Sequence, residues 1–277
     1  MKDFDIVNTN INYTYSVLEK DINSLKSKYP FIENGVIGNS VLGKNLSYIK
    51  LGDGKNNVFF NGAHHSLEWI TSVLLMKFVE DFSKHYERGE KFNGYDLKKV
   101  WEDSSIYIVP MVNPDGIDLV LNGIESIKDE HAGKLVKWNN DSSDFSRIWQ
   151  ANIRGVDLNH NYNASWKEYK LSQIKNNISG PAPTRYSGQY PESEPESAAI
   201  ANFTRYSDFN LVLALHSQGK EIYWDYNDMA SSFSKKIGEK LAQASGYTLE
   251  TPTHMASFTG YKAVSYTHLT LPTKRIV

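Results

Sequence analysis

Residues 58–82 read VFFNGAHHSLEWITSVLLMKFVEDF. An apolar run passes through a small glycine turn and two histidines into a long segment with helical periodicity. A strand that hands over to a helix within a few residues is the repeating unit of α/β folds, in which helices cover the faces of a sheet. Few other patterns narrow the choice of fold as much.

The rest of the chain repeats this succession. Residues 13–28 place Val17, Leu18, Ile22 and Leu25 at three-and-four spacing and run into Tyr29-Pro30, which predicts an amphipathic helix lying on a sheet. Residues 36–42 and 46–51 predict a hairpin, and Val58-Phe59-Phe60 a buried strand. A helix is expected over 67–85, with Ile70, Val73, Leu74, Phe78 and Phe82 on one face. Residues 106–112 predict another strand, stopping at the turn signal Asn113-Pro114-Asp115-Gly116. Residues 123–152 read as a structured loop, and 174–196 as a second. A helix over 198–206 is entered from Pro195. Residues 211–215, the most apolar short run, should be a central strand, followed by a helix over 230–244. The expected architecture is α/β, with a mixed, mostly parallel central sheet and helices on both faces, in one domain without internal repeats.

Composition limits the chemistry. A chain of 277 residues, 40% hydrophobic, can bury one substantial core. Its formal net charge is -2 with the two signs interspersed, so no basic stripe points to nucleic acid. No apolar run approaches the roughly 18 residues that cross a bilayer, so no membrane partner is expected. The first residues hold early charges and no unbroken apolar core, unlike a signal peptide, and a cytoplasmic location is the expectation. Cysteine is absent, which removes disulfides, thiolate ligands and a cysteine nucleophile. Any metal must be held by histidine and carboxylate.

His65 and Glu68 form an H-x-x-E string just past an apolar strand, at the start of the next helix. Residues three apart on a helix share a face, and ligands of open α/β sheets gather where strands end. Catalytic zinc commonly takes three protein ligands, so a third is needed at another strand end. His216, directly after residues 211–215, meets that requirement. His85 follows a helix, and His131, His254 and His268 lie in loop-like or doubtful text. Residue by residue, His65 and His216 read equally well as metal ligands or as hydrogen-bonded histidines at strand ends.

Further stretches bear on that choice. Gly155-Val156-Asp157-Leu158-Asn159-His160-Asn161-Tyr162, Asn113-Pro114-Asp115-Gly116, Tyr186-Ser187-Gly188 and Ser193-Glu194-Pro195-Glu196 occur in an order that resembles the zinc carboxypeptidase family, over residues 13–262. The resemblance implies that His65, Glu68 and His216 hold one zinc ion, which would polarise a peptide carbonyl and acidify water. It implies further that an arginine stabilises the oxyanion and that polar residues hold a substrate carboxylate. Digestive members carry arginine within the H-x-x-E motif and after the asparagine of the later motif; here those positions are Leu67 and His160. His160 is no permanent bidentate cation, while Asn159 remains available as a substrate-binding residue beside it. His64-His65 and the segment Trp149-Gln150-Ala151-Asn152-Ile153-Arg154 look closer to the bacterial branch that cleaves γ-D-glutamyl-diamino acid bonds of cell-wall peptides.

The resemblance therefore implies a zinc metallopeptidase acting on peptides or muropeptides; an ordinary metallocarboxypeptidase and an inactive zinc- or peptide-binding module are the alternatives. Arg154 is the candidate for oxyanion stabilisation, its plainer reading being a salt-bridged surface arginine. Gln150 stands where digestive enzymes have their arginine, and Arg147 is the fallback. Adjacent residues of an extended segment point apart, so His64 reads as a neighbour of the site rather than a ligand. Asp157 is expected to brace backbone or a nearby side chain, and Glu192, Glu194 and Glu196 to be a solvated loop and helix start. The family's general base is a downstream glutamate, yet no glutamate follows Lys262. As DNA, Val264 through Thr273 back-translates to a transposase adapter of sequencing libraries, so residues 264–277 are expected to be a non-native tail. The catalytic domain, residues 1–263, would then lack its last strand and helix.

Overall fold

The computed structural model describes residues 5–127, 132–226 and 228–250. The expected non-native tail lies outside the described residues. In chain order the elements are α1 (Tyr15–Lys28), β1 (Glu33–Asn39), β2 (Asn45–Leu51), β3 (Asn56–Gly62), α2 (Ile70–Arg88), β4 (Lys91–Phe92), β5 (Tyr95–Asp96), α3 (Leu97–Asp103), β6 (Ser104–Val109) and α4 (Pro114–Asn122). They continue with α5 (Ala132–Trp138), α6 (Trp166–Lys175), α7 (Pro195–Tyr206), β7 (Leu211–Leu215), β8 (Glu221–Tyr223), α8 (Ser232–Ser245) and β9 (Thr248–Glu250).

Five strands form a mixed sheet in the order β1-β2-β6-β3-β7. β1 and β2 make the expected antiparallel hairpin, and β2 is antiparallel to β6. β3 is parallel to both β6 and β7, so the parallel half of the sheet centres on the strand that leads into His65. β7 has β3 as its one described neighbour. β8 and β9 pair in parallel across α8 as a small separate sheet.

Side-chain alternation along the strands divides the core. Ile49, Ile106 and Ile108 face one layer with Leu18, Ile22 and Leu25 of α1 and Val73, Met76 and Val79 of α2. Phe59, Val109 and Val212 face the other with Ile200 and Ala201 of α7. Helices thus cover both faces. A third cluster around the fully buried Trp149, with Leu119, Leu135, Phe145 and Ile153, gives the long 123–152 segment a core of its own.

Four local expectations change. α2 buries Val73, Met76, Val79 and Phe82, whereas Ile70 and Leu74 are 47% and 59% exposed. The helix carries two overlapping apolar stripes, and periodicity alone does not say which one meets the sheet. Asn113-Pro114-Asp115-Gly116 starts a helix instead of merely ending a strand: Asn113 Oδ1 accepts from the Gly116 N–H at 3.1 Å and Pro114 occupies the first turn of α4. α6 had no sequence signal because it has no apolar stripe; Leu171 and Ile174 are exposed and only Gln173 is buried. α5 likewise falls inside the segment read as loop.

Candidate metal centre

Parallel pairing brings two distant strand ends to one edge. Gly62 of β3 is in register with Leu215 of β7, so His65 and His216 both emerge just beyond the same border of the sheet. The chain after β3 is fastened at each step. The Ser66 N–H donates to the Gln150 carbonyl at 3.2 Å, Ser66 Oγ donates to the Trp149 carbonyl at 2.6 Å, and Thr71 Oγ1 bridges the Ala63 N–H and the Glu68 carbonyl. Glu68 lies in a single 3-10 turn, Ser66–Glu68, rather than in α2 itself. Side chains at i and i+3 eclipse in that tighter helix, which aligns Glu68 with His65.

The result is a compact N, N, O cluster. His65 Nδ1 and His216 Nδ1 lie 3.2 and 2.7 Å from Glu68 Oε2, and the ligating atoms of the three residues all fall within 4.8 Å of one another. Ligands about 2.1 Å from a tetrahedral zinc stand about 3.4 Å apart; the His65–Glu68 separation of 3.2 Å is close to that, and the 2.7 Å His216–Glu68 contact is a hydrogen bond that a metal would replace. Among the described residues His65 Nδ1 is buried without a hydrogen-bond partner, as an electron-pair donor reserved for a cation would be. Electrostatics agrees. Burial opposes a charged His65, but Asp157 and Glu68 outweigh it and push the imidazole up to about 10. Burial likewise opposes the Glu68 carboxylate, yet His216 and His65 hold it far below the ordinary carboxylate range. The pocket is built for positive charge, and two imidazoles with one carboxylate suit zinc.

Behind this cluster sits Asp157. Its Oδ1 is 3.5 Å from His65 Nε2, and its Oδ2 accepts from the Arg185 N–H at 2.9 Å. It stays ionised because, against the cost of burial, His160 and His65 hold its pKa well below the ordinary value. The bracing role expected of Asp157 therefore extends to His65. His64 is fully buried with Nε2 2.7 Å from Tyr162 Oη and lies outside the ligand cluster, as strand alternation implied.

The other sequence candidates separate. Leu158–His160 forms a 3-10 turn that holds Asn159 and His160 directly after Asp157. His160 Nε2 is 3.9 Å from Asp157 Oδ2, and its ring stacks on Tyr169 at 4.3 Å and 9°. Arg154 is not brought to the cluster. Its Nη1 lies 3.7 Å from Glu194 Oε2, and it lines a cavity with Val156, Tyr186, Gln189 and Tyr190 that includes none of the three ligands. Its contacts match the plainer salt-bridged reading. Arg147 pairs with Asp144 at an exposed position. Gln150 stays near the ligands through its backbone, while its Oε1 accepts from Thr184 Oγ1.

Glu194 and Glu196 are not solvated. They are 4% and 0% exposed, and both accept from Asn152 Nδ2, at 2.8 and 3.3 Å. Asn152 Oδ1 in turn accepts from the N–H groups of Arg154 and Val156. This clamp ties the loop that leads to Asp157 onto the start of α7. Glu192 pairs with Arg205 instead. A charged residue beside a proline at a helix start ordinarily reads as exposed, so the sequence carried no sign of this burial.

Residues 18–272 match the model of the zinc carboxypeptidase family. The chain belongs to that family. It is 37% identical to Gamma-D-glutamyl-L-diamino acid endopeptidase 1 of Lysinibacillus sphaericus, over 93% of this chain and 63% of that protein. It is 32% identical to YqgT of Bacillus subtilis, over 90% of this chain and 65% of that protein. The chain thus spans under two thirds of the length of these relatives. Bovine thrombin-activatable fibrinolysis inhibitor shares the fold, with a TM-score of 0.66 at 21% identity, covering 91% of this chain and 81% of that one. The family match and the shared fold agree with the α/β architecture expected from the strand and helix pattern.

Proposed function

We propose that His65, Glu68 and His216 hold one zinc ion and that the full-length parent protein hydrolyses γ-D-glutamyl-diamino acid bonds of cell-wall peptides. The single observation that carries the metal reading is the convergence of three ligating atoms within 4.8 Å at one sheet edge. Zinc held there would supply Lewis acidity towards a peptide carbonyl and towards water. The chain's own residues arrange the rest. The Asp157 carboxylate, with Oδ1 3.5 Å from His65 Nε2, would favour a proton on that nitrogen and so turn Nδ1 towards Glu68 and the metal position. The carboxylate of Glu68 offsets the ion's charge, and His216, 28% exposed, stands at the open side where substrate arrives. The substrate class rests on the relative from Lysinibacillus sphaericus and on the replacement of two arginine positions by Leu67 and His160.

Two measurements test this. Metal analysis should find one zinc per wild-type chain and a large loss in His65→Ala and His216→Ala; equal zinc in all three overturns the ligand assignment. Hydrolysis of a muropeptide should exceed that of a simple acyl-dipeptide, and cleavage of the dipeptide alone overturns the cell-wall substrate.

A further inference from the structure

Arg185 stands one carboxylate away from His65. Its N–H donates to Asp157 Oδ2 at 2.9 Å, and the other oxygen of that carboxylate is 3.5 Å from His65 Nε2. Its carbonyl accepts from Tyr169 Oη at 3.0 Å, and Tyr169 carries the stacked His160 ring. Thr184, just before it, is hydrogen-bonded to Gln150 Oε1. Both peptide groups of Arg185 are thus pinned to residues around the metal centre.

Two further features set this arginine apart. Its φ of 64° lies in the left-handed region, where glycine is the favoured residue, so a large side chain is retained at a position whose backbone opposes one. The side chain is exposed, and among the described residues no carboxylate forms an ion pair with its guanidinium. Arg147, Arg154 and Arg205 each pair with an acid. Burial lowers the pKa of His160 and raises that of Tyr169; the positive charge of Arg185 adds to the first shift and partly offsets the second. At His160 burial prevails against the pull of Asp157, so this imidazole does not supply the permanent charge a guanidinium would.

We propose that Arg185, whose backbone is held by Asp157 and by Tyr169 of the His160–Tyr169 stack, binds a free carboxylate flanking the scissile amide of the substrate through its planar fork. A guanidinium holds a carboxylate through two parallel N–H···O bonds, and the opposite charge of the metal position adds to the attraction. This deepens the proposed function and rests on it. A γ-linked glutamyl residue keeps its α-carboxylate free beside that bond, and a diamino acid at the C-terminus carries a second.

The test uses calorimetry with a non-hydrolysable analogue of the γ-D-glutamyl-diamino acid dipeptide, and the same analogue with its carboxylates converted to amides. Zinc content is measured on every sample. Wild-type protein should bind the carboxylate form at least tenfold more tightly than the amide form. Arg185→Gly suits the left-handed backbone and keeps the N–H that Asp157 accepts, so it should retain zinc yet lose the preference tenfold or more. Arg185→Lys should keep part of it, as a point charge without the fork. If Arg185→Gly keeps the preference, or loses zinc, the carboxylate-binding role is refuted while the proposed substrate stands. If zinc-loaded wild type binds neither analogue, the proposed substrate and the role of Arg185 fall together.

Discussion

Glu196→Gln should make the protein's stability less sensitive to pH between 5 and 8. The Glu196 carboxyl is fully buried at the start of α7, and one of its oxygens accepts from the Val41 N–H at 3.0 Å. Burial, reinforced by Asp115 and Glu194, pushes its pKa from 4.5 to about 8, against the opposing effect of the backbone hydrogen bonds. A folded-state pKa above the unfolded value means that the native protein holds a proton the unfolded chain releases. The associated stability is complete below pH 4.5 and is lost as pH rises through about 8. With about 1.4 kcal/mol per pKa unit, the wild type should lose on the order of 3–4 kcal/mol relative to Glu196→Gln between pH 5 and pH 8. Glutamine keeps an acceptor for the Val41 N–H and carries no charge to bury, so the variant should not share that loss.

The assay is urea denaturation of both proteins at half-unit steps from pH 5 to 9, analysed as the difference between them. Every other titrating group cancels in that difference unless it is coupled to residue 196. In a chain of this size the change corresponds to roughly 10 °C in melting temperature, well above measurement error. Parallel stability profiles over the whole range would refute the reasoning, since they would show that Glu196 is ionised in the folded protein without penalty.

Asp157→Asn should leave the fold largely intact but weaken zinc binding about 10- to 100-fold, because the carboxylate behind His65 is lost; competition with a chromophoric chelator measures it, and an unchanged affinity would remove Asp157 from the metal centre. Gly155→Ala places a Cβ 2.7 Å from Pro181 Cβ on a backbone with φ of 69°. It should cost about 1–3 kcal/mol in denaturant unfolding, and an unaltered midpoint would show that the loop before Asp157 adapts freely.

What the sequence determined by itself was local. His65 and Glu68 are three residues apart at a strand-to-helix transition, so any fold that keeps the transition keeps them together, whether the first turn is α or 3-10. His216 was legible because it closes a run of five apolar residues that can scarcely be anything but a strand. The alternation of strands and helices determined the layered architecture for the same reason, since each element's character is written in its own few residues.

Tertiary structure decided everything that depends on which neighbours an element meets. The register of Gly62 with Leu215 joins two ligands to a third 148 residues away, and no periodicity encodes that pairing. α2 offers two apolar stripes, and only its seat on the sheet selects Val73, Met76 and Val79 over Ile70 and Leu74. Glu194 and Glu196 look solvated until Asn152 and the Val41 N–H are brought against them. Arg154 matched a motif, yet its guanidinium faces Glu194, while Arg185, in a loop with no signal of its own, is tied to Asp157 beside His65. The physical reason is the same in each case. A side chain's charge state and partners are set by burial and by groups distant in sequence, and those are fixed only when the chain has closed on itself.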